Sequence, residues 1–221
     1  MNTHFSCIIK IPSTGSDIDN IKSYLINRFS NKSIFSEILI HTPSHTNDKY
    51  LASESNPFII IELNSITIEN IENNLYSIST DIAELSSAKK PQCQVMLSRS
   101  FLPESVNSND LTLTSYFVEY EGIVNSPADW SSHYIKHHVS LMKELPKIRH
   151  LLVYSPVPWD QQEAVETFSS ILCNRVSFLN HQQLDEALNS PIRDKMRLDY
   201  NSLPAYQGTC THYPMDTYVL V

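Results

Sequence analysis

The sequence predicts an α+β fold made of two βαββαβ units of ferredoxin-like order, whose sheets pack face to face as a pseudo-dimer within one chain. Three observations carry this expectation. The order strand, helix, strand, strand, helix, strand is read twice; each reading takes about 100 residues, the size of a small domain; and the stretch Leu102 to Asp110 between them holds Pro, Ser and Asn and reads as a linker. Residues 1–101 form the first unit, 102–110 the linker and 111–221 the second unit. A single larger α+β domain is the alternative.

In the first unit a β-rich run covers Phe5 to Ile11. A helix follows from Asp17 to Phe29, where Ile18, Ile21, Leu25 and Phe29 recur at helical spacing. Ile34 to Ile40 and Phe58 to Leu63, both rich in Ile, read as strands. The second helix spans Ile66 to Leu85, starting at Thr67-x-x-Asn70, with Ile68, Ile71, Leu75 and Ile78 on one face. Gln94 to Arg99 closes the unit as a strand. The second unit repeats the plan: strand Thr114 to Tyr120, helix Asp129 to Leu145, strand Arg149 to Tyr154, strand near Val176 to Leu179, helix Gln182 to Leu188 and strand Thr211 to Val221.

Composition narrows the function classes. Of 221 residues 41% are hydrophobic, enough for a sizeable core. The net charge of -8 comes from 24 acidic against 16 basic residues, and the basic ones are scattered, which argues against nucleic acid and anionic membranes as partners. The start Met1-Asn2-Thr3-His4 lacks a basic leader region, and no stretch reaches the roughly 20 apolar residues of a membrane helix. A soluble cytoplasmic protein is expected. Cys7, Cys93, Cys173 and Cys210 form no C-x-x-C pair and read as reduced, mostly buried thiols. The three glycines build no dinucleotide or P-loop pattern, and zinc spacing and nucleophile-elbow motifs are missing too. No cofactor or metal is expected.

The helix from Asp129 to Leu145 carries the strongest signal. Ser126 or Asp129 can cap it and Pro146 stops it. At about 100° per residue, Trp130, Tyr134, Ile135, Leu141, Met142 and Leu145 form an apolar stripe with His138 near its centre. His137 sits at the edge of the stripe and His133 points away. An imidazole where a Leu would normally stand has two readings. Burial keeps it neutral, as a general base requires; or it is a core histidine bonded to a backbone carbonyl or a Tyr hydroxyl.

Tyr134-x-x-x-His138-x-x-Leu141, then Leu145-Pro146 and Arg149 leading into a strand that ends Tyr154-Ser155-Pro156, resembles the EthD-like branch of the dimeric α/β barrel superfamily. The usual run there is close to Y-x-x-x-H-x-P-L, then L-P-G and a basic residue. The resemblance covers Tyr116 to Pro156, and the rest by element order only. Ser140 stands where the family usually has Pro, and Lys147 where it usually has Gly. It implies ferredoxin-like units, here a tandem duplication, whose sheets pair into a barrel enclosing a small-molecule pocket. The helix around Asn20 to Phe29 carries Tyr24 and Arg28 but no histidine. One site per chain, in the second unit, is therefore expected, with the first as scaffold.

Relatives in the superfamily look like cofactor-free monooxygenases, aromatic polyketide cyclases, dehydratases, lactone isomerases and, in a separate branch, haem enzymes, while EthD itself resembles an accessory factor. Fold does not choose among these. The leading expectation is a cofactor-independent cyclase, dehydratase or isomerase that moves a proton on an aromatic or polyketide-like carbonyl compound. His138 is its base or acid, Tyr120 the preferred hydroxyl donor, and Tyr134 or His212 orients the substrate. Tyr116 shares a strand face with Tyr120. In the last strand His212, Asp216 and Tyr218 share a face and look like a pocket wall. Trp130 packs the helix on its sheet and borders the site, and Arg149 can hold a carboxylate. A metal held by His138, His212 and Asp216 is chemically possible. A non-catalytic binding or accessory protein and a monooxygenase remain as alternatives, and a homodimer paired along edge strands is possible. His41 and His45, beside a polar loop from Ser44 to Ser55, are assigned no role.

Overall fold

The computed structural model describes residues 3–12, 17–30, 34–50, 58–85, 89–102 and 111–220. The expected linker lies outside them from 103 onward, as does the end of the loop that starts at Ser44. The elements are β1 (Thr3–Pro12), α1 (Ile18–Phe29), β2 (Glu37–Pro43), β3 (Phe58–Ser65), α2 (Ile68–Ala83), β4 (Gln92–Ser100), β5 (Thr112–Val124), α3 (Pro127–His133), a π turn (Tyr134–His138), α4 (Val139–Met142), β6 (His150–Pro156), β7 (Glu166–Thr167), β8 (Ser170–Phe178), α5 (His181–Leu188), α6 (Pro191–Tyr200) and β9 (Tyr206–Leu220).

Eight strands form one closed antiparallel barrel in the order β1-β3-β2-β9-β5-β8-β6-β4, with β4 returning to β1. Within the first unit the order is β4-β1-β3-β2, and within the second it is β9-β5-β8-β6. The units join edge to edge, through β2 with β9 and β4 with β6, rather than face to face. Closure occupies the strand edges along which a second copy was expected to pair. The β5–β9 ribbon beyond Glu121 is an exception, since Gly122 to Val124 pair with β9 alone. Gly122 is required there: its φ is +130°, and a Cβ would meet the Gln207 carbonyl oxygen at 2.1 Å.

Alternation divides each strand between two environments. Cys7, Ile9 and Ile11 of β1 pack outward with Ile21, Leu25, Ile71, Leu75 and Ile78 of α1 and α2. Ile8 packs inward with Ile60, Met96, Phe117, Tyr154 and Met215. On the far side of the barrel, the outward residues Tyr116, Tyr120, Leu172 and Val176 meet Trp130, Tyr134, Met142, Leu184 and Met196. The four cysteines are free thiols, three of them buried. None of the described helices is long and apolar enough to cross a membrane.

The expected helix starts are in place. Thr67 caps α2 by accepting from Asn70 N–H, and Ser126, rather than Asp129, caps α3. Other expectations need correction. The strand expected near Val176 begins at Ser170, the last strand begins at Tyr206, and α6 was not foreseen at all. Lys147 has φ 60°, so the turn that usually takes Gly is kept with a side chain in a strained backbone region.

Candidate active site

The run from Pro127 to Met142 is continuous but not uniformly α-helical. Between Tyr134 and His138 it widens by one residue, and Val139 N–H reaches back to the Tyr134 carbonyl. That extra residue turns the following helix. Trp130, Tyr134, His138, Val139, Met142 and Leu145 are buried, while Ile135 and Leu141, expected in the stripe, are only half-buried. His137 is exposed and His133 half-buried.

His138 is 5% exposed. Its Nδ1 lies 2.8 Å from Asp199 Oδ2 on α6. A carboxylate can only accept, so Nδ1 carries the proton and the Nε2 lone pair is left available. Nε2 has no hydrogen-bond partner among the described residues, and the ring borders a cavity. Burial lowers the pKa of His138; Asp199 pulls it back up in part, while the Arg193 charge lowers it further. The imidazole is neutral near pH 7.

The cavity has a free volume of about 100 Å³ and lies between the outer face of β5, β8 and β9 and the helices α4 and α6. Tyr116, Val118 and Tyr120 line it from β5, Asn174 and Val176 from β8, Cys210 and His212 from β9, and Arg193, Met196, Arg197 and Tyr200 from α6. Tyr50 also reaches it, from the loop after β2. The same loop supplies Asp48, whose side chain is fully buried. Asp48 accepts from Tyr116 Oη and, at 2.8 Å, from Arg193 Nη2. His212 Nδ1 is 3.0 Å from the Tyr116 hydroxyl and 3.6 Å from Asp48 Oδ2. Burial alone would raise the Asp48 pKa, but His212, Arg193 and Tyr116 together hold it well below the usual carboxylate range. Burial also pushes the Cys210 thiol up to about 12, so it is protonated and not a nucleophile.

The expected site residues separate into groups. His138, Tyr116, Tyr120 and His212 meet at the cavity. Trp130 and Tyr134, both fully buried, stack at 5.5 Å behind it, and Asn174 Nδ2 donates to the Tyr134 hydroxyl at 2.7 Å. Tyr120 packs edge-on against Trp130 and Tyr134, with 5.1 and 5.4 Å between ring centres. Asp216 lies on the same strand face as His212 but outside the cavity, paired with His181 at 2.7 Å. Tyr218 packs beside the first unit's core under the Lys22 ammonium, 3.5 Å from its ring centre. Arg149 sits before β6, its N–H on the Ser177 carbonyl, and does not line the cavity. Among the described residues no group of three His, Cys, Asp or Glu is placed to hold a metal, and the set His138, His212 and Asp216 is not brought together.

Sequence reasoning missed Asp48, Arg193 and Asp199. The last two ride on α6, whose start Ser190-Pro191 is a readable cap and first-turn signal. Asp48 lies in a polar loop with no local signature.

The sequence matches no protein-family model and no curated protein. Solved structures do share the fold. An anthrone oxidase-like protein superposes with a TM-score of 0.61 at 9% identity, over 98% of this chain and 93% of that one. A protein of Fusobacterium nucleatum subsp. nucleatum, named provisionally as a monooxygenase, gives 0.63 at 10% identity over 99% and 93%. Another from Lactobacillus acidophilus NCFM, named in the same way, gives 0.55 at 10% over 97% and 93%. At such identities the likeness establishes the fold alone.

Proposed function

We propose that the chain is a small-molecule enzyme that removes a proton from carbon next to the carbonyl of an aromatic, polyketide-like compound, with His138 as general base. The observation that carries the reading is the His138–Asp199 pair: it fixes one tautomer and leaves Nε2 at the cavity wall without a partner among the described residues. The C–H proton passes to Nε2, and its electron pair moves onto the carbonyl oxygen. Arg193 supports the resulting enolate, since its Nε is buried and has no hydrogen-bond partner among the described residues. The names of the structural neighbours, an anthrone oxidase-like protein and two provisional monooxygenases, fit a substrate that becomes an enolate. The shared strand order of the two units supports a tandem duplication.

The present cavity equals about three waters' share of liquid volume at ~30 Å³ each, so a multi-ring substrate requires Tyr50 to move aside. Its hydroxyl donates to Asp194 at 3.0 Å, and its ring lies beside Arg193 and Arg197, 5.2 and 5.3 Å from the guanidinium carbons.

Proton abstraction is tested without knowing the final product. Anthrone is incubated with the protein in D₂O, and exchange at its methylene is followed by NMR. The expected result is accelerated exchange that drops about 100-fold or more in His138→Ala, the scale of general base catalysis. Full exchange in that variant would sink the assignment. Oxygen uptake alongside exchange identifies a monooxygenase, whereas binding without exchange identifies a carrier.

A further inference from the structure

The barrel interior, on the opposite face of the sheet from His138, is filled unevenly along its axis. At one end Lys10 pairs with Glu119 and lies against Phe58, Phe168 and Tyr213, with 4.1 Å from Nζ to the Phe168 ring centre. Only about 10 Å³ is free there. In the middle, Glu62, Arg175 and Tyr154 form a buried network. At the other end the interior opens into a chamber of about 630 Å³. Sites for small organic ligands span ~300–1,000 Å³. The chamber and the His138 cavity have no lining residue in common.

Leu39, Leu113 and Leu152 give the chamber apolar walls, and Glu37, His4 and Arg175 give it polar groups. Arg175 is already committed. Its Nε meets Tyr154 Oη at 2.9 Å and Glu62 Oε2 at 3.1 Å, Nη1 meets Ser177 Oγ at 2.9 Å, and Nη2 meets Glu62 Oε1 at 3.4 Å. Glu37 is not. Its Oε2 accepts from Asn64 Nδ2 at 2.9 Å, and Oε1 has no hydrogen-bond partner among the described residues. His4 Nε2 is buried, again without a partner among them. An acid entering the chamber finds its one strong cation neutralised and Glu37 repelling it, whereas a cation meets a carboxylate with a free oxygen. Burial raises the Glu37 pKa, and the Arg175 charge, shared with Glu62, offsets this only in part; an ammonium beside Glu37 relieves the remaining cost.

We propose that this chamber is a second binding site, for a small organic amine whose ammonium pairs with Glu37 while its apolar body lies along Leu39, Leu113 and Leu152. The site is independent of the reaction assigned to His138.

The test titrates the full chain by calorimetry with 4-phenylbutylamine and, separately, with 4-phenylbutyrate, a probe of similar shape and opposite charge. The amine is expected to bind at one saturable site and the acid to bind at least tenfold more weakly. Glu37→Gln, close to isosteric, is expected to weaken the amine about tenfold or more, the loss of roughly one partly desolvated ion pair. Val219→Trp, which places a ring in the chamber, is expected to do the same and serves should Glu37→Gln not fold; circular dichroism checks both. His138→Ala is expected to change nothing. The proposal is overturned if the amine does not bind, if the acid binds as tightly, if Glu37→Gln and Val219→Trp leave the amine's affinity unchanged, or if His138→Ala abolishes it.

Discussion

Under α1 and α2 the outer face of the sheet presents Cys7, Ile9, Ile11, Ile59, Ile61 and Leu63 to a helix layer of Ile, Leu and Phe. Under α3, α4 and α6 the corresponding face of the second unit presents Tyr116, Val118, Tyr120, Asn174 and His212 to Trp130, Tyr134, His138 and Arg193. The strand order within the two units is the same. What differs is side-chain shape and the helix path. α2 is one helix of 16 residues lying along its sheet, whereas its counterpart breaks at Ser190-Pro191 into α5 and α6. The break lets α6 bring Arg193 and Asp199 against α4 and the π turn. Topology supplies two equivalent platforms; branched aliphatics close one, while flat rings and ionisable groups leave room in the other.

The widest separation between the platforms is expected from a pair of substitutions. His138→Ala should cost deuterium exchange about 100-fold or more and stability about 2 kcal/mol, because it removes the bond to Asp199 and the ring contact with Tyr134. Leu75→Ala, in the fully buried core of the first unit, should cost about 3 kcal/mol in urea unfolding and leave exchange unchanged in the folded protein. Equal effects on both readouts from either change would mean that the platforms are not functionally distinct.

The barrel interior, which both units share, should respond to acid. His41 is fully buried beside Glu62, at 3.5 Å, and burial lowers its pKa to about 4. Between pH 6.5 and about 4 the unfolded chain takes up this proton and the folded chain does not, so stability falls as pH falls. The loss is roughly 3 kcal/mol over that window. His138, also depressed by burial, acts with the same sign. Glu62 and Asp48, held in the ionised form, add losses at lower pH. Urea midpoints at pH 7, 5.5 and 4.5 measure the slope, and His41→Gln should flatten it above pH 4.5. A slope unchanged in that variant would assign the effect elsewhere.

The smallest effect is expected in the turn after the second unit's first helix. Lys147→Gly should stabilise by about 1 kcal/mol by relieving a left-handed backbone at φ 60°, since the Lys147–Glu186 pair it removes is exposed. Destabilisation would show that the ion pair outweighs the strain.

Local physics made much of the fold legible. Thr67 and Ser126 announce their helices because a hydroxyl capping a free N–H acts within three residues. Ile71, Leu75 and Ile78 repeat at helical spacing and pack as that spacing requires. His138 stood out because an imidazole interrupted an apolar stripe. Asp199 and Asp48 did not stand out, as each matters only through partners 61 and 68 residues away. The π turn was hidden too. Its single extra residue exchanges Ile135 and Leu141 for Val139 in the buried stripe, a change periodicity at about 100° per residue cannot register.

By itself, then, the sequence determined the strand and helix order of each half, the apolar faces of α1 and α2 and the burial of His138, because these depend on spacing and capping over a few residues. Tertiary structure alone decided that the half-sheets close edge to edge into a barrel, that Asp199 sets the tautomer of His138, and that the first unit lends Asp48 and Tyr50 to a cavity in the second. It also decided that a chamber remains in the barrel interior beside Glu37. Each of these is a meeting of groups distant in the chain, and such meetings are set by the packing of the whole barrel rather than by any segment.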